Sequence, residues 1–260
     1  MERISSRSNE KVKRMSGYIA SREMRGADGV CVADGIKLCC EAMLAGLEIK
    51  ELWYTQKALE RYGEEIELLE EKACESFLMS ESVAEKLSDA RSPQGVAALV
   101  SLPPPVEIGE FFKKRRIVAL CSLQDPSNVG AVMRSAAAFG FDGVLLSGDC
   151  ADAYSQKSLR GSMGAVFKCD VALCEDMAEA ISLFESSGFV ALAAALTDEA
   201  VPVCEAGKHE KMLVAIGNEG GGLTNEVIAA CSKSVIIPMS GGVESLNAAV
   251  AASVLMWELR

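Results

Sequence analysis

Apolar positions along the chain alternate between the short continuous runs of buried strands and the three-to-four spacing of helices. Ser8 to Met24 places Val12, Met15 and Ile19 on one face and predicts a helix with Ser8 as its N-cap. Cys31 to Ala33 predicts a strand, and Asp34-Gly35 leads into a helix from Ile36 to Ala45 that Gly46 ends. A strand over Ile49 to Thr55, a charged helix over Leu59 to Glu71 and a strand over Phe77 to Met79 follow. Ser82 to Leu87 predicts a short helix and Gly95 to Val100 a last strand, so the first hundred residues form a small α/β unit.

Leu102-Pro103-Pro104-Pro105 interrupts this pattern, because successive prolines continue neither a helix nor a strand interior. The expected organisation is a domain over 1–102, a linker over 103–116 and a second domain over 117–260. The second domain alternates more regularly. Ile117 to Leu123 is an apolar strand, as in a buried parallel sheet. Asp125 to Gly130 turns into a helix from Ala131 to Phe139, ended by Gly140. Gly143 to Ser147 predicts a strand, Ser158 to Gly164 a short helix or turn, and Val166-Phe167 the start of a third strand. Met177 to Ser186 predicts a helix and Phe189 to Leu196 a fourth strand. Five or six parallel strands with helices between them make a doubly wound α/β domain.

The remaining stretch, Met212 to Trp257, holds two apolar strands that each open into a glycine-rich loop. Met212 to Ile216 runs into Gly217-Asn218-Glu219-Gly220-Gly221-Gly222, then a short helix from Thr224 to Cys231. Ser234 to Pro238 runs into Met239 to Asn247, then a long helix of small residues. Glycines let backbone amides approach a ligand closely, and loops at the carboxyl ends of parallel strands are where open α/β sheets bind. Either loop alone reads as a tight turn. Asn218, Glu219, Ser245 and Asn247 are polar residues beyond what two turns need.

Composition narrows the chemistry. The 260 residues are half hydrophobic, and no apolar run reaches the roughly 18 residues of a membrane span. The N-terminus lacks the apolar segment of a signal peptide. Ten scattered cysteines without a CxxC pair read as reduced, buried thiols of a cytosolic protein, and argue against a disulfide framework or zinc site. The single histidine, His209, argues against histidine triads and histidine-rich metal sites. No GxGxxG follows the first strand of the second domain, against a dinucleotide-dependent oxidoreductase. The net charge of −11 opposes indiscriminate nucleic-acid binding. A basic excess near the start, with Arg7, Lys11 and Arg14, suits either phosphate contacts or a solvated helix.

Three stretches occur in order: Asn128 to Arg134 (NVGAVMR), Ile216 to Leu223 (IGNEGGGL) and Ile236 to Asn247 (IIPMSGGVESLN). Together they resemble the motifs of the SpoU-type (TrmH-like) ribose 2′-O-methyltransferases of the SPOUT superfamily. Arg160 to Phe167 (RGSMGAVF) and Ser92 to Val100 (SPQGVAALV) support the resemblance, and the first 100 residues resemble the substrate-binding domain of many members.

The resemblance implies an α/β fold closed by a C-terminal trefoil knot, usually a homodimer, with S-adenosylmethionine (AdoMet) held in the knot. It implies an RNA partner, ribosomal RNA favoured over transfer RNA, no metal, no membrane, and a cytoplasmic location. Gly217, Ile237 and Leu246, with Leu196, Thr197 and Asn218, are expected to line the cofactor. Arg134 matches the residue assigned to activating the hydroxyl, although a guanidinium, with a pKa above about 12, suits charge stabilisation better than proton abstraction. Arg134 alternatively reads as a surface salt-bridging residue, and Asn128 as a cap of the Ala131 helix. Glu219 is expected to orient Arg134 or the substrate, Ser245 to cap the last helix, and Asn247 to contact substrate or fix the loop. A catalytically silent RNA-binding or ribosome-assembly factor on the same fold is the alternative.

Overall fold

Two sheets organise the chain in a computed structural model that describes residues 2–241 and 245–260. Gly242, Val243 and Glu244, within the third motif, lie outside the described residues. The chain divides into two compact units, Met1–Pro104 with Asp152–Phe167, and Pro105–Ala151 with Lys168–Arg260. Asp152–Phe167, expected in the second domain, is thus grouped with the first.

The first unit runs β1 (Glu2–Ile4), α1 (Glu10–Ala20), α2 (Arg22–Asp28), β2 (Val30–Asp34), α3 (Ile36–Leu44) and β3 (Ile49–Tyr54). It continues with α4 (Gln56–Arg61), α5 (Gly63–Glu70), β4 (Ala73–Met79), α6 (Glu81–Leu87) and β5 (Val96–Ser101). Its five strands lie in the order β1-β4-β3-β5-β2. β4 runs parallel to β1 and β3, whereas β5 runs antiparallel to β3 and β2. The core gathers Ile4, Val12, Met15, Trp53, Phe77, Leu87 and Leu99, all at most 4% exposed.

Two predicted helices are broken here. The helix expected over Ser8 to Met24 starts instead at Glu10, capped by Asn9, whose Oδ1 accepts from the Lys11 amide at 2.8 Å. It stops where Ser21 turns extended (φ −116°, ψ 120°) and caps α2 through a 3.1 Å bond from the Met24 amide. A serine favours a cap over a helix interior because its hydroxyl competes for backbone groups. The helix expected over Leu59 to Glu71 likewise starts three residues earlier and divides at Tyr62, where φ is −127° and ψ 34°. The short strand β1 was not expected from the polar-apolar pattern.

The second unit comprises α7 (Ile108–Phe111), β6 (Arg116–Leu120), α8 (Pro126–Phe139) and β7 (Gly143–Ser147). After α9 (Gln156–Ser162), which is grouped with the first unit, come β8 (Asp170–Cys174), α10 (Met177–Ser186), β9 (Val190–Ala194) and β10 (Val201–Pro202). The chain closes with β11 (Met212–Ile216), α11 (Asn225–Ala230), β12 (Lys233–Ile236) and α12 (Ala248–Glu258). Among the described residues seven strands, one or two more than expected, pair in parallel in the order β10-β12-β9-β11-β6-β7-β8. β6, β9 and β11 are buried nearly throughout, as their uninterrupted apolar runs require. Val166-Phe167 does not begin a strand: Ala165–Phe167 is a single 3-10 turn, and the strand forms at Asp170. α8 and α12 pack together, with the Ser135 and Ser253 hydroxyls 2.7 Å apart and Phe139 edge-on to Trp257 at 5.6 Å.

Candidate active site

Because β6 and β11 are neighbours and parallel, the loops that leave their carboxyl ends meet. α8 begins earlier than the sequence pattern indicated. Asp125 is its N-cap, accepting from the Ser127 amide at 2.9 Å, and Pro126 occupies the first turn, where its missing N–H costs nothing. Asn128 is therefore inside the helix and does not cap it. Its side chain, 8% exposed, is spent on tertiary contacts. Nδ2 donates to Glu219 Oε1 at 2.8 Å, and Oδ1 accepts from Asn247 Nδ2 at 3.1 Å.

Asn247 is the N-cap of α12, with Oδ1 accepting from the Ala249 and Val250 amides at 3.0 and 3.2 Å. The cap expected of Ser245 belongs to Asn247. One asparagine thus closes a helix end and ties the third motif to the first. The three motif residues Asn128, Glu219 and Asn247 form one hydrogen-bonded group.

Asn218 fixes the glycine loop from within. Its Oδ1 accepts from the Gly220 amide at 2.7 Å and the Gly221 amide at 3.2 Å, while Nδ2 donates to the Ser122 carbonyl at 2.7 Å. Ser122, at the end of β6, has φ 56°, a left-handed conformation uncommon for a residue with a side chain. Its amide donates to Ser147 Oγ at 2.8 Å, and that hydroxyl donates to Asp149 Oδ1 at 2.5 Å. Hydrogen bonds from the Ser122 and Ser147 hydroxyls hold the Asp149 carboxyl below its ordinary range. No residue-type pattern marks Ser122 in the sequence. Gly217 is required by close approach: a Cβ there would lie 2.2 Å from the Gly222 carbonyl carbon and 2.4 Å from the Leu223 amide.

A cavity of about 190 Å³ lies beside this group, between the ends of β9 and β12 and the first turns of α12. Leu196, Ile237, Leu246 and Ser245 line it as part of a mainly apolar wall. Gly217, Thr197 and Asn218 are not among its lining residues. Ala251 and Leu255 are, and the i, i+4 spacing of α12 would have found them. The last register pairs at this edge are Ala194↔Val235 and Pro202↔Ile236, so the backbone of Leu196 and Ile237 continues beyond the ladder. An apolar slot rimmed by backbone donors and acceptors fits the adenosine part of AdoMet.

Arg134 lies elsewhere on α8. It is exposed, and among the described residues it has no hydrogen bond or ion pair. It therefore neither forms the surface salt bridge allowed for it nor meets Glu219, whose carboxylate is held by Asn128. The expected basic arm is largely neutralised. Lys11 pairs with Glu2 at 2.8 Å and sits 4.0 Å above the Phe77 ring, and Arg14 pairs with the nearly buried Glu51. Arg7 is exposed, and among the described residues it lends only its carbonyl, to Lys86 at 2.9 Å. No group of three or more metal-ligating side chains occurs among the described residues, and no described helix is long and apolar enough to cross a membrane.

A parallel α/β sheet with loops converging from three motifs defines a nucleotide-type ligand site. Residues 115–257 match the SpoU rRNA methylase family and residues 9–98 the MRM3-like substrate-binding domain, so the chain belongs to the SpoU rRNA methylase family. It is 27% identical over all of both chains to the 23S rRNA (guanosine(2553)-2′-O)-methyltransferase RlmP of Bacillus subtilis. It is 29% identical, covering 98% of this chain and 91% of the relative, to the 23S rRNA (uridine(2479)-2′-O)-methyltransferase of Streptomyces viridochromogenes. The solved structure of the SpoU methyltransferase AviRb from Streptomyces viridochromogenes, in complex with AdoMet, superposes with a TM-score of 0.82 at 26% identity over 96% of each chain.

Proposed function

We propose that this SpoU-family protein is an AdoMet-dependent methyltransferase that modifies a ribose 2′-hydroxyl of RNA, ribosomal RNA foremost. The hydrogen-bonded group Asn128–Glu219–Asn247 beside the apolar cavity carries the reading. Leu196, Ile237 and Leu246 hold the cofactor, which supplies a methyl group on an electrophilic sulfonium. Gly217 and Asn218 act one step back, by shaping the loop that presents Glu219. Thr197, beyond the end of β9, is left with a supporting place in the segment that carries Leu196.

The protein's own task is to place the ribose and stabilise the oxygen as it loses its proton. With Oε1 held by Asn128, Glu219 presents Oε2 to a substrate hydroxyl. Ser245 lies on the cavity wall, and Arg134 supplies positive charge for the developing alkoxide or the adjacent phosphate.

The protein works as a homodimer. α12 is mostly apolar yet leaves Val250, Val254 and Trp257, at i, i+4 and i+7, between 38% and 51% exposed. Burying that stripe against a second copy takes its apolar surface out of water. The last loop and helix form the trefoil knot of the family, residues 1–102 select the RNA, and the protein acts in the cytoplasm. Among the three basic residues of the N-terminal stretch, Arg7 retains the free side chain suited to phosphate. Mapping 2′-O-methyl positions in ribosomal RNA from cells with and without the gene tests the function. A site lost with the gene supports it, and an unchanged map in ribosomal and transfer RNA would point to a silent assembly factor.

A further inference from the structure

Two motif stretches that the active site leaves unused, Ser92 to Val100 and Arg160 to Phe167, meet in the first unit. They wall a second cavity of about 190 Å³ with the loop from β2 into α3. Ser92 and Gln94 come from one stretch, Arg160 and Met163 from the other, and Asp34, Lys37 and Leu38 from the loop and helix. The cavity is tightly constructed. Gln94 Oε1 accepts from the Ile36 amide at 3.0 Å and so caps α3, which Gly35 precedes at φ 97°, a conformation that favours glycine. Gly95 (φ 75°) abuts Thr55, and Gly164 (φ 85°) abuts Glu41.

Its polar groups are poised for a ligand. Asp34 Oδ2 accepts from Ser88 Oγ at 2.5 Å and lies 3.9 Å from Arg160, leaving Oδ1 without a partner among the described residues. Burial raises the Asp34 carboxyl, against the opposing effects of Ser88 and Arg160. Gln94 Nε2 donates to no described residue, and Lys37 is exposed at the rim with no ion pair among them. Leu38 and Met163 supply apolar wall. Such a slot is smaller than the roughly 300–1,000 Å³ of a drug-sized site and suits one flat, polar-edged ring.

Resting on the reading that the substrate is RNA, we propose that this cavity takes one unpaired nucleotide of that RNA, its base donating an exocyclic amino N–H to Asp34 and its phosphate meeting Lys37. Proteins read RNA sequence chiefly at unpaired, splayed bases, and a carboxylate accepts from an amino-bearing edge such as cytosine N4. Gln94 Nε2 supplies the complementary donor to a ring acceptor. The cavity gives the N-terminal unit a base-reading element in place of a diffuse basic patch.

The test uses full-length protein saturated with S-adenosylhomocysteine and fluorescein-labelled heptaribonucleotides C7 and U7, which differ only at the amino or carbonyl group and its neighbouring ring nitrogen. C7 should bind about tenfold tighter than U7. Ser92→Trp, at an exposed wall position, should abolish the preference. Asp34→Asn, which replaces an acceptor with a donor, should reverse it. Lys37→Ala should weaken both oligonucleotides alike and reduce the salt slope by about one. Equal binding of C7 and U7, or a preference that survives both Ser92→Trp and Asp34→Asn, overturns the proposal. Free CMP competing as well as C7 would make this a mononucleotide site and also overturn it. AdoMet calorimetry and methyl transfer on the same samples separate this failure from failure of the methyltransferase reading, since Ser92→Trp leaves cofactor binding intact.

Discussion

Asn128 and Glu219 lie 91 residues apart in the chain and are joined by a 2.8 Å hydrogen bond from Nδ2 to Oε1. The bond exists because β6 and β11 are adjacent, and it fixes the carboxylate that the glycine loop presents. Asn128→Asp would set a second carboxylate against Glu219, while a negative charge in the first turn of α8 is compatible with the helix dipole. We expect normal folding, AdoMet affinity within about twofold of the native value, and methyl transfer lowered roughly 100-fold. Partial recovery at lower pH, where the two carboxylates share a proton, is the accompanying signature. Unaltered turnover would make the contact purely architectural.

Cofactor binding is tested most cleanly from the helix side. Ala251, half-buried on α12, lines the cavity, and Ala251→Phe fills it without disturbing a loop. Calorimetry should show AdoMet affinity reduced by at least about tenfold, with the ring competing for space that a ligand of this kind fills. Gly217→Val is a poorer probe. Any Cβ there meets backbone of its own loop at 2.2 Å, so lost binding would report a collapsed loop.

Arg134 separates chemistry from binding. It is exposed and unpaired among the described residues, so Arg134→Ala should change stability by less than about 0.5 kcal/mol. Methyl transfer should fall at least roughly 100-fold, with AdoMet affinity retained. Near-normal turnover would remove Arg134 from the active site.

The cysteines define a pH dependence. Burial pushes the Cys31, Cys121 and Cys231 thiols up to about 12. A thiol raised in the folded state contributes stability that is complete below its unfolded pKa near 8.5 and is lost as pH rises toward 12. Denaturant midpoints should therefore decline above about pH 8.5. At pH 8, Ellman's reagent should modify Cys74 and Cys204, the exposed pair, well before the remaining thiols. Rapid reaction of Cys121 or Cys31 would contradict their burial.

β7 and β11, with apolar runs, and α10, with one apolar face, were legible in the sequence and form over the predicted residues. Several other helix starts were not, because serine and asparagine compete for the cap locally. Ser8 yields to Asn9, and Ser245 to Asn247. The motif residues were legible as a set, but their partners were not. Nothing in the pattern tells that Asn128 turns to Glu219 and Asn247, nor that Glu51 and Glu2 neutralise Arg14 and Lys11. Such pairings depend on strand order, which periodicity does not encode.

Methyl transfer to a ribose 2′-oxygen leaves a mark that alkali reveals. A phosphodiester next to a methylated ribose resists alkali, because the neighbouring hydroxyl that would attack it is gone. Purified protein is incubated with methyl-labelled AdoMet and ribosomal RNA from cells lacking the gene, and the RNA is then hydrolysed in alkali. Label recovered in alkali-resistant dinucleotides, and absent with Arg134→Ala, is the predicted result. Label confined to mononucleotides would place the methyl on a base, and no incorporation at all into ribosomal or transfer RNA would contradict the enzyme itself.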